Sequence, residues 1–262
     1  MDPIIIRLGP FTLRWYGLMY AFALLAGLGI FYRMSRRNSL DLSLEQVIDF
    51  MLVMFVSGLI GARLYYVLFN LRFFFSHPLR ILGFGLPAGE FGISGLAIHG
   101  GLIGGGLAYI MFVRWKGLPH WRVADAVVPA VALGQVFGRV GNFFNGDAYG
   151  FPTKLPWGVK FPASTAAGQT YPGQALHPTM LYEGILNLLI FVVLIRLSRR
   201  SYKPGFLTSV YFILYAVARS VASFWRADSL WIGPLRAAHL LSAITLIVFS
   251  GLLFGRKLYS ER

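Results

Sequence analysis

The sequence predicts an all-α integral membrane protein of about seven transmembrane helices, with the N-terminus outside and the C-terminus cytoplasmic. Three observations lead there. Hydrophobic residues fill 56% of the 262 positions and charged residues only 13%, against about 25% charged in a soluble domain. Apolar stretches approaching the length of a bilayer crossing recur along the whole chain. The short segments between them carry much of a formal net charge of +14. In a soluble protein that charge would suggest nucleic acid, but between apolar spans its natural partner is anionic membrane lipid, so no nucleic acid is expected. The chain has no cysteine, which excludes a disulfide framework, a thiolate metal site and a cysteine nucleophile.

The spans fall near residues 17–31, 47–69, 96–113, 123–137, 180–195, 206–224 and 237–254, in a single membrane domain covering 1–262. The first follows the interfacial pair Trp15-Tyr16 and has no small-residue cleavage site after it, so it reads as an uncleaved span. The short segments after spans one, three and five and the C-terminus hold Arg33, Arg36, Arg37, Arg114, Lys116, Arg122, Arg196, Arg199, Arg200, Lys203, Arg256, Lys257 and Arg262, which places these ends in the cytoplasm. The opposite side carries longer segments, about 70–95 and 139–177, rich in Gly, Pro and aromatics. Segments that long usually have a function or form a small subdomain. No internal repeat is visible, which argues against an inverted-repeat transporter.

Polar residues gather at the outer ends of the spans. The third opens on Ala97-Ile98-His99-Gly100-Gly101, followed by further paired glycines, a pattern that lets a neighbouring helix approach closely. His99 stands where the outer segment enters the membrane, as a satisfied structural residue or as a general base able to titrate near neutrality. The run Gly138-Arg139-Val140-Gly141-Asn142-Phe143-Phe144-Asn145-Gly146-Asp147 ends the fourth span. It reads either as a helix terminus with local turns or as a ligand site in which Arg139 holds a phosphate and Asn142 and Asn145 orient ester oxygens. Span five starts at His177-Pro178-Thr179, with Pro178 suited to a first helical turn and Glu183 expected to pair with a basic neighbour. In span six, Tyr215, Arg219, Ser223 and Arg226 share a helical face, and Arg219 lies deep enough to need an anionic partner. Arg139 and Arg219 together suggest a phosphate clamp. Tyr20 is an interfacial aromatic whose hydroxyl can reach a headgroup. Arg63, inside span two, needs a partner, with Asp49 and Asp125 as candidates. The five histidines are too scattered to suggest a metal site.

In this order, Trp15-Tyr16-Gly17, Gly61-Ala62-Arg63, His99-Gly100-Gly101, the run from Gly138 to Gly146, His177-Pro178-Thr179 with Leu181-Tyr182-Glu183, and Arg226-Ala227-Asp228-Ser229-Leu230 resemble the prolipoprotein diacylglyceryl transferases over nearly the whole chain. The resemblance implies a seven-span enzyme of the bacterial inner membrane. It would move the diacylglyceryl group of phosphatidylglycerol onto the lipobox cysteine of a prolipoprotein, forming a thioether and releasing glycerol phosphate. By position it makes His99, Arg139, Asn142, Gly150, Tyr20, Tyr215 and Arg219 functional and puts an acidic site at Asp147. On this reading His99, Arg139 and Arg219 are catalytic. Tyr20, Asn142, Asn145, Asp147, Gly150, Tyr215 and Arg226 bind substrate, with no metal and no cofactor. The chain departs from the family pattern at four places: Asp147 and Ser223 stand where glutamate is usual, His239 for glutamine, and Ala97 for serine. Ser223 removes an anionic partner for Arg219 or Arg226, which Asp228 replaces only if it curls back. The competing readings are a transporter or lipid-binding protein using the same arginines for an anionic solute, and a divergent paralogue of low activity.

Overall fold

The computed structural model describes residues 3–8, 11–82 and 95–260. Two short strands, β1 (Ile4–Leu8) and β2 (Phe11–Arg14), precede α1 (Trp15–Arg37), α2 (Leu44–Leu68), the short α3 (Leu71–Ser76) and a 3-10 turn at Pro78–Leu82. After them come α4 (Ile98–Trp115), α5 (His120–Asn145), α6 (Ala166–Thr170), α7 (Thr179–Leu197), α8 (Phe206–Ser223) and α9 (Ala237–Gly255). The chain is an all-α membrane protein. Among the described residues α1, α2, α5, α7, α8 and α9 are long and apolar enough to cross a bilayer. With 23 residues, α1 extends about 35 Å, enough for a hydrocarbon core of about 30 Å. The third predicted span is α4, with 18 residues, whose glycines and His99 dilute its hydropathy. Much of the apolar surface faces outward, including Leu25, Ile60, Leu102 and Ile247, each more than half exposed. That distribution suits a protein whose solvent is lipid.

The chain forms two compact units. One contains residues 6–13 and 41–120. Here Ser43 and Gln46 make a reciprocal capping box that starts α2, satisfying two otherwise orphan amides. α2 and α4 then meet along their glycines: a Cβ at Gly100 would lie 2.2 Å from the Gly61 carbonyl oxygen, and one at Gly104 2.4 Å from that of Ser57. Arg63 donates from Nε to the Ile81 carbonyl at 2.9 Å, from Nη1 to that of Gly95 at 3.2 Å, and from Nη2 to that of Arg80. These three partners are main-chain oxygens. Of the predicted outer segment 70–95, residues 83–94 lie outside the described residues.

The other unit contains 1–5, 14–40 and 121–262. α5 runs eight positions beyond the predicted span end, so Arg139, Asn142 and Asn145 stand on a helix and not in an outer loop. The polar groups do not end it, because they find side-chain partners there. It stops at Asn145, where Gly146 takes a left-handed conformation (φ 72°) that a glycine adopts without strain. Trp15 at the start of α1 stacks on Phe144 near that end, with ring centroids 4.2 Å apart. Beyond α5 the chain forms a short stretch of sheet and a small buried cluster. Strands β3 (Val159–Lys160) and β4 (Ala175–Leu176) pair antiparallel, and Ala148, Phe161, Ala167, Leu176 and Met180 pack into a buried cluster. Tyr182 ties this region to α7, accepting from Trp157 Nε1 at 2.7 Å and meeting His177 Nδ1 at 3.2 Å.

Candidate active site

The site is organised around a carboxylate. Glu183 lies in the second turn of α7 with its side chain only 5% exposed, and a buried carboxylate is tolerated only when paired. Three arginines from three parts of the chain meet that need. Arg139 of α5 places Nη2 2.6 Å from Oε2, Arg219 of α8 places Nη1 2.6 Å from Oε1, and Arg226 places Nη1 3.0 Å from the same Oε1. Close charge-assisted bonds of this kind fix orientation as well as charge.

The arginines are not equivalent. Arg226, just past α8, is the most buried of the three. Its Nε and Nη2 donate to the two Asp228 oxygens at 2.8 Å each, while Nη1 goes to Glu183. Burial alone would lower its pKa, but Asp228 and Glu183 raise it. Every guanidinium nitrogen of Arg226 is therefore engaged by carboxylate. Arg139 and Arg219 keep 20% and 24% of their side chains exposed. Arg139 spends a second nitrogen on Asn142 Oδ1 at 3.1 Å. Among the described residues, Arg219 spends only Nη1. Since a guanidinium carries five N–H donors, both retain donors for an anion.

Asn142 is oriented from both sides, with Nδ2 donating to the Tyr16 hydroxyl at 3.3 Å. Tyr16 in turn packs against Tyr20, one turn on, with centroids 5.1 Å apart. Tyr20 itself is half exposed, as a headgroup contact would be. Asn145 donates to the Asp147 carboxylate. Partial burial, with Asp228 adding to it, pushes the Asp147 pKa upward against that hydrogen bond. Tyr215 stacks on Tyr211, with rings 19° from parallel.

Gly150 joins the site through its backbone: its amide donates to the His177 carbonyl at 3.0 Å, and it bridges to Arg226. A Cβ there would sit 2.6 Å from His177 Cβ and 2.7 Å from the Trp225 oxygen. Close packing is thus its physical requirement. Ser223 is fully buried, and its Oγ has no partner among the described residues. The carboxylates that Arg219 and Arg226 meet are Glu183 and Asp228. His239 meets the Ser220 carbonyl through Nε2 at 3.2 Å.

Residues 3–255 match the family model for prolipoprotein diacylglyceryl transferase. The chain belongs to this family. It is 39% identical over 251 residues to the phosphatidylglycerol–prolipoprotein diacylglyceryl transferase of Thermosynechococcus vestitus, covering 95% of this chain and 90% of that one. The Parasynechococcus marenigrum transferase is 39% identical over 264 residues, at 95% and 91% coverage. That of Synechococcus elongatus is 37% identical over 250 residues, at 93% and 83%.

Within this member of the family, the structure brings Arg139, Asn142, Arg219 and Arg226 together and adds two residues that had no site role in the sequence reading, Glu183 and Tyr16. The signal for Glu183 was present as a carboxylate inside an apolar span. For Tyr16 there was none beyond its interfacial position. His99 belongs to the other unit. There it occupies the first turn of α4, exposed, with its ring 5.9 Å from that of Tyr65.

Proposed function

We propose that this protein transfers the diacylglyceryl group of phosphatidylglycerol to the cysteine thiol of a prolipoprotein lipobox. One observation carries the reading in a member of this family: Arg139 and Arg219, from different helices, are held on one buried carboxylate with N–H donors unspent. That arrangement suits a phosphate ester at the membrane boundary. The leaving group is glycerol phosphate. As its C–O bond breaks, negative charge grows on the phosphate oxygen, and preoriented guanidinium donors stabilise that charge without reorganising.

The nucleophile is the substrate's thiol, with an ordinary pKa near 8.5, so it needs a base to supply thiolate. His99 takes that role: its imidazole accepts the thiol proton, sulfur attacks the glyceryl carbon, an S–C bond forms as the C–O bond breaks, and the proton leaves to water or to the released phosphate. Atoms and electrons balance without a cofactor. Asn142, Asn145 and Tyr20 position the headgroup, Asp147 and Tyr215 border it, and Arg226 and Gly150 hold the frame. The enzyme works as a multi-pass protein of the bacterial inner membrane, with this cluster on the outer side and the C-terminus in the cytoplasm. Asp228, bidentate on Arg226, supplies the carboxylate that Ser223 lacks, which favours an active enzyme over a weakened paralogue. The test is to incubate purified protein with phosphatidylglycerol and a lipobox peptide and search by mass spectrometry for a diacylglyceryl thioether. A folded preparation that yields no adduct overturns the proposal.

A further inference from the structure

At the opposite end of the same unit lies a second basic site, independent of the transferase reading. Glu183 and Ser198 are fifteen residues apart along α7 and its cap, so this end is about 22 Å from the arginine cluster. A cavity of about 480 Å³ opens there between the end of α1 and the turn joining α7 to α8. Arg37, Arg199 and Arg200 line it, together with Ser201, Tyr202 and Asp125. Arg37 donates to Ser198 Oγ at 3.2 Å, which holds the end of α1 to the turn. Among the described residues the Arg199 and Arg200 side chains make no hydrogen bond and no ion pair.

Among the described residues the lining sets one carboxylate, Asp125, against these three guanidinia, and so stays net positive. Asp125 is buried and directed at the start of α8, accepting from the Gly205 amide at 2.7 Å, the Thr208 amide at 2.8 Å and the Thr208 hydroxyl at 2.6 Å. It serves as an N-terminal cap, with its charge balanced by amides and the helix dipole. Three guanidinia and one carboxylate turned toward helix amides therefore line a polar cavity of net positive charge. The Tyr202 ring, stacked on Phe206 at 3.8 Å, gives the cavity a firm wall, and the volume suits a headgroup.

We infer that this cavity binds a phosphate group, either the headgroup of an anionic lipid in the leaflet opposite the active site or a free phosphate monoester. The charge distribution that set the orientation places it on the cytoplasmic side. Arginine forks match phosphate bidentately, and each basic residue at an anionic surface contributes about 1 kcal/mol. Removing two of them should weaken binding about thirtyfold.

The experiment uses the full chain in neutral detergent, comparing wild type, Arg199→Gln/Arg200→Gln and Ser201→Trp. The last fills the cavity while keeping every charge. Native mass spectrometry counts bound short-chain phosphatidylglycerol against phosphatidylcholine, and a parallel arm measures thermal stabilisation by inorganic phosphate. Both variants should bind one fewer anionic lipid, or lose the stabilisation by phosphate, while adduct formation from phosphatidylglycerol continues. Loss in the lipid arm alone identifies a headgroup site, and loss in the phosphate arm identifies a free phosphate site. Equal lipid counts and equal stabilisation in wild type and both variants overturn the inference.

Discussion

Replacing Glu183 by Gln keeps the shape of the side chain and removes the charge on which three guanidinia converge. The side chain is 5% exposed, and its arginine partners are 20%, 24% and 10% exposed, so solvent screens little of the interaction. Breaking a buried ion pair by removing one partner costs about 3–5 kcal/mol. Arg226 keeps Asp228, so the loss falls on Arg139 and Arg219 and belongs near the lower bound, about 3 kcal/mol. For a domain of this size, each kcal/mol shifts the melting temperature by about 2–4 °C, giving a fall of roughly 6–12 °C. Glu183→Gln should also lose most of its transferase rate, because the two arginines lose their common anchor and repel each other. Glu183→Asp, one methylene shorter, should fall between the two. The assays are thermal unfolding in detergent and adduct formation with a lipobox peptide. A Glu183→Gln protein that melts within 2 °C of wild type, roughly the shift from a 1 kcal/mol effect, and turns over normally would refute the view that this carboxylate organises the site.

Arg139→Lys should retain the charge but not the simultaneous reach to Glu183 and Asn142, and a drop of at least tenfold in rate is expected by mass-spectrometric assay; unchanged turnover would mean that charge alone suffices. His99→Gln should lose at least a hundredfold in rate, the lower range for general-base catalysis, with phosphatidylglycerol still bound; full activity assigns the base elsewhere. Gly150→Ala should cost about 1–3 kcal/mol through the crowding of its Cβ against His177 and Trp225, seen as a lower melting temperature. Asp147 has its pKa raised in the folded protein, chiefly by burial. It contributes its full stability below the unfolded value of about 3.9 and loses it as pH rises through the raised value. The melting temperature of wild type minus that of Asp147→Asn should therefore fall with pH from about 4 upward and then level off; a difference that rises with pH contradicts the burial argument.

How much of this was legible beforehand depends on the range of the interaction involved. Span positions follow from local hydropathy, so the long helices were visible, but α5 was drawn too short. A window average falls when it meets Arg139 and Asn142, and it contains no information that Glu183 and Tyr16 wait to satisfy them. Arg219 was readable as a group in need of an anion, because an intramembrane charge is costly alone. The anion's identity was not, since it lies 36 positions away on another helix. Asp228 shows the intermediate case. Two residues from Arg226, it is close enough to be suspected, yet only the turn after α8 decides whether it curls back. Arg63 was readable as a group in need of a partner, but the carbonyls of Arg80, Ile81 and Gly95 that it reaches leave no trace in the residue pattern.

The presence of Glu183 in a site proposed for a phosphate looks contradictory until charges are counted. Within the ion-paired group, which leaves out Asp147 on Asn145, Arg139, Arg219 and Arg226 against Glu183 and Asp228 give three minus two, or +1. Without the carboxylates, three guanidinia would face one another across a poorly solvated boundary, and their repulsion would spread them before any lipid arrived. With the carboxylates in place, the fold fixes the guanidinia while leaving one net positive charge. A bound phosphodiester brings that to zero, and the departing phosphate then gains a second negative charge. Arg226 cannot follow that change, because all its nitrogens are committed to carboxylates. Arg139 and Arg219 can, by shortening contacts from donors they have not used. Strengthening of contacts as the bond breaks is what separates catalysis from binding. On the proposed mechanism, therefore, the unspent donors of these two arginines matter to rate more than the net charge of the site does.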